Sequence, residues 1–239
     1  MKYDVVIIGS GPGGYVGAIR CAQLGLKTAV IEKYDVLGGT CLNVGCIPSK
    51  ALLDSTEHFH NAETTFAEHG VRVTGLKADL EQMIKRKSSV VKQTNDGVAF
   101  LMKKNKIDVY TGHGSFKSNT EVEIKSAEKT ETITFDKAII ATGSKPITPD
   151  SFNYDKKRVI TSTEALNITK IPKRMVIIGA GVIGLELGSV FARVGTEVEV
   201  IEFQDKILAG MDKDVSKDLQ RSLKKLGIKF HLKHAVTSV

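Results

Sequence analysis

The 239-residue chain is 41% hydrophobic and contains 22 glycines, a composition typical of a globular protein with room for one or two hydrophobic cores. Its 34 basic residues exceed its 27 acidic residues, but no recognition motif accompanies this charge, which favours solvated helix faces and anionic cofactors over nucleic acid. No run of 18 apolar residues predicts a membrane span, and three cysteines are too few for a secreted disulfide framework.

A dinucleotide-binding pattern opens the chain. The apolar run Tyr3 to Ile8 predicts a buried parallel strand, which begins so early that we expect no signal or transit peptide and a cytoplasmic location. Gly9-Ser10-Gly11-Pro12-Gly13-Gly14 follows, then a predicted helix from Tyr15 to Leu24 and a strand from Thr28 to Ile31 that ends on Glu32. In such a unit the glycines permit a tight turn, a bound pyrophosphate and close helix packing, while the acid accepts a ribose hydrogen bond.

The same unit recurs 170 residues later. Residues 9–32 and 179–202 align without a gap, a predicted strand from Met175 to Ile178 precedes the second copy, and Glu202 ends it. The glycines of the second copy have the same spacing: Gly179, Gly181 and Gly184. One Gly-x-Gly-x-x-Gly motif alone is weak evidence, but its repetition with both strands and the acid predicts two dinucleotide sites.

Two of the three cysteines, Cys41 and Cys46, directly follow the first unit. Five residues of helix rise about 7.5 Å, more than the roughly 7 Å between Cα atoms that a disulfide bridges, so a bridge requires the chain to fold back, which Gly45 permits. A loop this short stabilises a fold little, which favours a redox role. Lys50 lies four residues after Cys46, so if a helix begins near Cys46 the two share a face, and the lysine ammonium favours the thiolate form of that cysteine. Structural cysteines remain an alternative, whereas zinc and iron–sulfur sites lack further ligands.

The position of the cysteines also assigns the two nucleotides. A redox group that exchanges electrons with a dithiol is most simply bound beside it, so we expect FAD at the first unit and a nicotinamide nucleotide at the second. Glu202 offers a carboxylate to a ribose 2′-hydroxyl and repels a 2′-phosphate, and no arginine follows within four residues. We therefore expect NAD rather than NADP.

Helices and a small sheet are predicted between the two units. Helices are expected at residues 51–69 and 79–104. A β-meander is expected at residues 120–125 and 131–135, followed by a buried strand at 137–140 and a C-terminal strand at 229–239. The whole pattern predicts an α/β fold of two Rossmann-like units with mostly parallel sheets. We assign an FAD-binding domain to residues 1–148 and an incomplete NAD-binding domain to residues 149–239.

These motifs resemble the pyridine-nucleotide disulfide oxidoreductase family, especially its lipoamide branch. The resemblance covers essentially all of the chain and rests on residues 9–14, Gly38-Gly39-Thr40-Cys41 through Lys50, Ala141-Thr142-Gly143-Ser144, and Gly179 through Glu186. It implies that Cys41 is the thiol that attacks substrate, that Cys46 lies against the flavin, and that Lys50 pairs with Glu186 near the flavin ring. The implied reaction oxidises protein-bound dihydrolipoamide and passes electrons through FAD to NAD.

The motifs and the resemblance together give the expected cofactor contacts. For FAD they are Gly9, Gly11, Pro12, Gly13, Gly14, Glu32, Lys33, Gly39, Thr40, Lys50, Gly114, Thr142, Gly143 and Ser144. For NAD they are Gly179, Gly181, Val182, Ile183, Gly184, Glu202 and Val236. No metal site is expected.

The resemblance further implies partners and missing parts. The partner would be a lipoyl domain of a 2-oxo acid dehydrogenase or glycine-cleavage complex. Family members continue past this C-terminus with an FAD-binding Asp and a dimer domain that supplies a His–Glu pair, and none of the six histidines here fits that role. We therefore expect a fragment of a homodimeric enzyme that is inactive alone. A non-catalytic FAD- or NAD-binding module and a glutathione- or mercuric-reductase-like branch remain alternatives, although a binding module has no need of the cysteine pair.

Overall fold

The computed structural model describes residues 1–239, which form two compact units, one of residues 1–47 and 89–145 and the other of residues 48–88 and 146–239. The strands are β1 (Lys2–Ile8), β2 (Thr28–Glu32), β3 (Asp108–Thr111), β4 (His113–Phe116), β5 (Glu121–Lys125), β6 (Thr130–Ile140), β7 (Arg174–Ile178), β8 (Glu197–Glu202) and β9 (Lys229–Leu232). The helices are α1 (Pro12–Gln23), α2 (Gly39–Val44), α3 (Cys46–Thr64), α4 (Leu80–Lys104), α5 (Ser162–Ala165), α6 (Val182–Arg193) and α7 (Lys213–Lys225), with a 3₁₀ turn at Asp150–Phe152. The predicted α/β class is confirmed.

The first unit is built on a six-stranded sheet in the order β3-β2-β1-β6-β5-β4. Strands β3, β2, β1 and β6 run parallel, and β4, β5 and β6 form an antiparallel meander. Strand β1 is covered on both faces: Val6 and Ile8 belong to one buried cluster, whereas Val5 and Ile7 pack with Ala18 of α1 in the other. Burial on two faces explains why the sequence of β1 is almost continuously apolar.

The meander differs from the prediction in one strand. Residues 131–135 and 137–140 were expected as two strands, but β6 is a single strand that pairs with β5 only up to Thr134 and with β1 up to Ile140. The N–H of Phe135 still donates to the carbonyl of Thr120, just before β5, but beyond Phe135 only the edge of β6 that faces β1 is paired. The predicted burial of residues 137–140 is therefore wrong, and Ile140 is 68% exposed.

The helices also begin and end differently from the prediction. Helix α1 starts three residues early, at Pro12, because proline has no N–H to leave unpaired and its fixed φ suits the first helical position. Helix α3 starts at Cys46 rather than Ala51 and ends at Thr64. The long helix predicted at residues 79–104 is confirmed as α4, with Leu80, Val98 and Met102 buried.

The second unit contains a parallel sheet in the order β7-β8-β9, flanked by α6 and α7. Helix α6 presents buried side chains that include Leu185, Val190 and Phe191. The strand predicted at residues 229–239 ends at Leu232, because Lys233 adopts a left-handed backbone with φ +58°. The N–H of Lys233 then donates to the carbonyl of Gln204, and that of His234 to Glu202.

Candidate functional site

The first glycine loop has a backbone that only small residues fit. Gly9 turns the chain with φ +100°, and a Cβ there would lie 2.2 Å from the carbonyl oxygen of Ala141. A Cβ on Gly14 would lie 1.9 Å from the oxygen of Gly9, so α1 packs directly on the turn. No side chain caps α1 at Gly11, which leaves its N-terminal N–H groups able to bind an anion such as a pyrophosphate.

The acid that ends the first unit is buried beneath the same loop. Glu32 is 5% exposed, and its Oε2 accepts hydrogen bonds from the N–H and the hydroxyl of Ser10 at 2.9 and 2.6 Å. Its Oε1 accepts one bond, from the N–H of Tyr34 at 3.1 Å. A carboxylate oxygen has room for a second donor, so this arrangement fits a ribose hydroxyl at Oε1. Sequence reasoning did not single out Ser10, whose hydroxyl orients the carboxylate.

The second glycine loop repeats the hydrogen bonds of the first. The N–H of Gly179 donates to Ile201 at 2.8 Å, as that of Gly9 does to Ile31. Glu202 accepts from the N–H groups of Ala180 and Gln204, both at 2.7 Å. The two sequence repeats, residues 9–32 and 179–202, thus form the same backbone hydrogen bond at the first glycine, and in both the terminal acid accepts hydrogen bonds from backbone N–H groups.

The space in front of the second loop is open. A Cβ on Gly179 or Gly181 would meet nothing within 4 Å, whereas one on Gly184 would lie 2.8 Å from Ile177 Cγ2, where α6 packs on the sheet. Val182 and Ile183 begin α6, which no side chain caps, and their side chains are exposed. This loop therefore fits a dinucleotide phosphate. Val236 lies beyond β9 and is half-buried.

The cysteine segment folds against the first loop. A Cβ on Gly39 would lie 2.6 Å from the Cα of Gly11, so the backbones of the two loops touch. Cys41 lies half-buried in α2, and Cys46 is exposed at the start of α3. Between the two cysteines, helix α2 ends at Gly45, where a Cβ would lie 3.2 Å from the Cα of Cys41. The residue before Cys46 is therefore packed against Cys41, the folding back that a disulfide requires.

The remaining residues expected near FAD in the first unit lie on strands or beside Gly9. Thr142 follows β6, and its Cα would lie 3.2 Å from a Cβ on Gly9. Gly143 and Ser144 continue this exposed segment. Gly114 lies on β4 against Ile31 and Ile8. The ends of parallel strands where a sheet reverses its strand order form the usual ligand crevice of α/β folds.

In the second unit, Lys50 and Glu186 form an ion pair. Lys50 Nζ lies 2.5 Å from Glu186 Oε1, and Ser49 donates to Oε2 at 3.3 Å. The two charged side chains are 58% and 26% exposed, so the pair contributes little to stability. A second bond between the same helices joins Arg193 of α6 to Glu57 of α3 at 2.5 Å. The geometry pairs the residues expected to act together, while their roles remain a prediction.

Two polar clusters were not expected from the sequence. Tyr3 donates to Asp108 at 2.8 Å and lies 2.6 Å from the hydroxyl of Tyr110, and burial raises the pKa of Tyr3. His231 lies 2.9 Å from Glu199, and this hydrogen bond lowers the pKa of Glu199. The first cluster joins β1 to β3 across the intervening strand β2, and the second joins the neighbouring strands β8 and β9. Sequence alone does not align these strands.

Comparison with known proteins agrees with this geometry. Residues 3–239 match the family model described as pyridine nucleotide-disulphide oxidoreductase. The chain is 50% identical to the mitochondrial dihydrolipoyl dehydrogenase of Pisum sativum and 49% identical to the leghemoglobin reductase of Vigna unguiculata, over 99% of its own length in each case. It covers 47% and 45% of those proteins, and so spans about half the length of the curated relatives it matches.

A solved structure gives the same result. The HOCl-induced flavoprotein disulfide reductase RclA from Escherichia coli superposes with a TM-score of 0.83 at 28% identity, over 99% of this chain and 50% of that one.

The comparisons correct the expected location. The dihydrolipoyl dehydrogenases of Pisum sativum and Dictyostelium discoideum, 50% and 46% identical to this chain, are mitochondrial by name. The prediction of a cytoplasmic protein is therefore wrong, because the early first strand on which it rested is not a guide to the compartment. None of the helices is both long and apolar enough to cross a membrane.

Proposed function

The chain belongs to the pyridine nucleotide-disulphide oxidoreductase family, and we propose from this that it is the cofactor-binding, disulfide-bearing part of a dihydrolipoyl dehydrogenase. Membership of this family implies FAD and NAD(H) as cofactors. The observation that carries the proposal is the contact of Gly39 with Gly11, which supports a cysteine pair beside the first dinucleotide loop. We assign FAD to residues 1–148 and the nicotinamide nucleotide to residues 149–239.

The chemistry that we assign to the cysteines is thiol–disulfide exchange. A thiolate of dihydrolipoamide attacks Sγ of Cys41, breaks the bond to Cys46 and leaves Cys46 as a thiolate. The second substrate thiol, after losing its proton, displaces Cys41, so that lipoamide leaves and the chain gains two electrons as a dithiol. Bound FAD supplies the acceptor for these electrons and the means of passing them to NAD as hydride.

The surroundings of Cys46 support its role as the thiolate that this exchange releases. It begins the 19-residue helix α3, so the positive end of the helix dipole lies beside it and interacts favourably with a negative charge. Lys50, one helical turn further along α3, adds a positive charge, and its side chain is oriented by the ion pair with Glu186.

The second nucleotide is proposed to be NAD. Glu202 keeps its carboxylate at the end of β8 through two backbone N–H groups, where it accepts hydrogen bonds from a ribose diol. A 2′-phosphate in the same position meets a negative charge with no arginine in the four residues that follow. The partner that we propose is a lipoyl domain of a 2-oxo acid dehydrogenase or glycine-cleavage complex, with a homodimer as the parent assembly.

Thiol counting on the purified chain tests this proposal. The oxidised chain is expected to show one reactive thiol under denaturing conditions, that of Cys21, and three after treatment with dihydrolipoamide and removal of the reagent. One equivalent of lipoamide should appear in parallel. Cys41→Ser should abolish the release of lipoamide. Three thiols before any treatment of the air-oxidised chain, with no lipoamide formed, would contradict the proposal.

A further inference from the structure

A chain of side-chain amides links the cysteine segment to α4 within the first unit. Asn43 lies in α2 between the two cysteines, and its Nδ2 donates to the carbonyls of Leu37 and Gly39, both at 2.9 Å. Asn95 of α4 donates from its own Nδ2 to Asn43 Oδ1 at 2.8 Å. Asn43 therefore holds the backbone of residues 37–39, and Asn95, 52 positions away in the sequence, holds Asn43.

The orientation of both amides follows from their partners. Asn43 must turn its Nδ2 to the two carbonyls, since an oxygen there would face two acceptors. Its Oδ1 then faces Asn95, which must present its Nδ2 as donor. As a consequence, the Oδ1 of Asn95 is buried without a hydrogen-bond partner, the only such side-chain atom in the structure. Burying an unpaired carbonyl is unfavourable, so the donor bond to Asn43 is made at a local cost to stability.

The backbone held by Asn43 is the part that contacts the first dinucleotide loop. Between the two accepting carbonyls lies Gly38, whose N–H donates to the carbonyl of Ser10 at 3.0 Å. Gly39 touches Gly11 on the other side of the same segment. The loop is therefore fixed from two directions, by the glycine motif and by the amides, directly before Cys41 in the sequence.

We propose that Asn95 is a positioning residue for Cys41, acting through Asn43. It holds α2 in the place where Cys41 is half-buried and packed against Gly45. This assignment rests on the proposed function, because the position of Cys41 matters to thiol exchange. Asn95 acts through its hydrogen bond to Asn43, and its effect is on the reactivity of Cys41 relative to Cys46.

The test is the alkylation of the reduced 239-residue chain with iodoacetamide, followed at each cysteine by mass spectrometry. In Asn95→Leu, the loss of one donor loosens α2, and the ratio of the Cys41 rate to the Cys46 rate should rise by about two- to tenfold, the factor that one net hydrogen bond represents. The unfolding midpoint should change little, because leucine removes the unpaired carbonyl of Asn95 but leaves Asn43 Oδ1 without its donor. A residue that only stabilised the fold would lower the midpoint and leave the ratio unchanged.

Two further variants make the result decisive. Asn95→Asp has the shape of the amide but cannot donate when ionised, so it should shift the ratio in the same direction even if the leucine variant does not fold. Asn105→Leu is the matched control, because Asn105 directly follows α4 and its amide donates to the carbonyl of Leu101 in the last turn of that helix. It should leave the ratio at the wild-type value. A wild-type ratio in a folded Asn95→Leu or Asn95→Asp chain would overturn the proposal.

The same samples separate this inference from the proposed function. Equilibration of the wild-type chain with oxidised and reduced glutathione should form the Cys41–Cys46 disulfide, and the equilibrium constant should fall about two- to tenfold in Asn95→Leu. If the wild-type chain forms no disulfide, the proposed function fails. The alkylation ratio still decides the role of Asn95, since it is measured on reduced thiols.

Discussion

Replacement of Gly14 by alanine should separate the loop geometry from general helix stability. A Cβ at this position would lie 1.9 Å from the backbone oxygen of Gly9, and real Cβ contacts below 3.0 Å essentially never occur. Helix α1 must therefore move by at least about 1.1 Å from the turn. Overpacking of this kind costs about 1–3 kcal/mol. Since the obstacle is backbone and cannot rotate away, we expect a net loss near the upper end, about 2–3 kcal/mol.

Gly17→Ala is the matched control in the same helix. A Cβ there would have ordinary contacts of 3.9 Å to Ile7 and Ile139, so the gain in helix propensity should stabilise the chain by up to about 1 kcal/mol. Urea unfolding measures both variants, and FAD binding is followed by quenching of flavin fluorescence. Only Gly14→Ala should weaken FAD binding. Equal stability and equal FAD binding in the two variants would refute the close packing of α1 on the loop.

Three other substitutions test separate parts of the structure. Tyr3→Phe should lower the free energy of unfolding at pH 7 by about 1 kcal/mol, and this free energy should then fall less steeply as pH rises. Because the folded-state pKa of Tyr3 is raised, the stability that its neutral hydroxyl contributes is present below the unfolded pKa of about 10 and is lost as pH rises above that value. An unchanged slope of unfolding free energy between pH 9 and 11 would contradict this. Glu202→Ser should narrow the preference for NADH over NADPH in a direct binding titration, whereas an unaltered preference would remove the ribose role. Lys50→Met should change the unfolding free energy by less than about 1 kcal/mol, and a much larger loss on thermal melting would mean that the exposed pair is structural.

Local sequence patterns predicted the parts of the fold that local physics determines. The turn at Gly9, the packing of Gly14 and the acid at Glu32 lie within one strand–loop–helix–strand unit, where spacing alone defines the backbone. The repetition at Gly179 and Glu202 extended the prediction to the second unit. Likewise, the distance that a disulfide bridges required the break found at Gly45.

Contacts between residues distant in sequence were not predictable in this way. The bond from Asn95 to Asn43 joins two helices, and an asparagine in a helix carries no pattern that names its partner. The extension of β6 to Ile140 depends on pairing with β1, since the polar Asp136 and Lys137 look like a strand end when read alone. The prediction of the cellular compartment was wrong for a different reason, because the position of the first strand in the sequence has no physical link to the compartment.

The visible spectrum of the chain loaded with FAD and titrated with dihydrolipoamide tests the central claim most directly. We predict a bound flavin spectrum that gains a long-wavelength shoulder as the disulfide opens, in the wild-type chain but not in Cys46→Ser. That result would place the Cys46 thiolate against the flavin. A tightly bound flavin whose spectrum stays the same while dihydrolipoamide is added would contradict the claim that the cysteines and the first dinucleotide loop form one redox site.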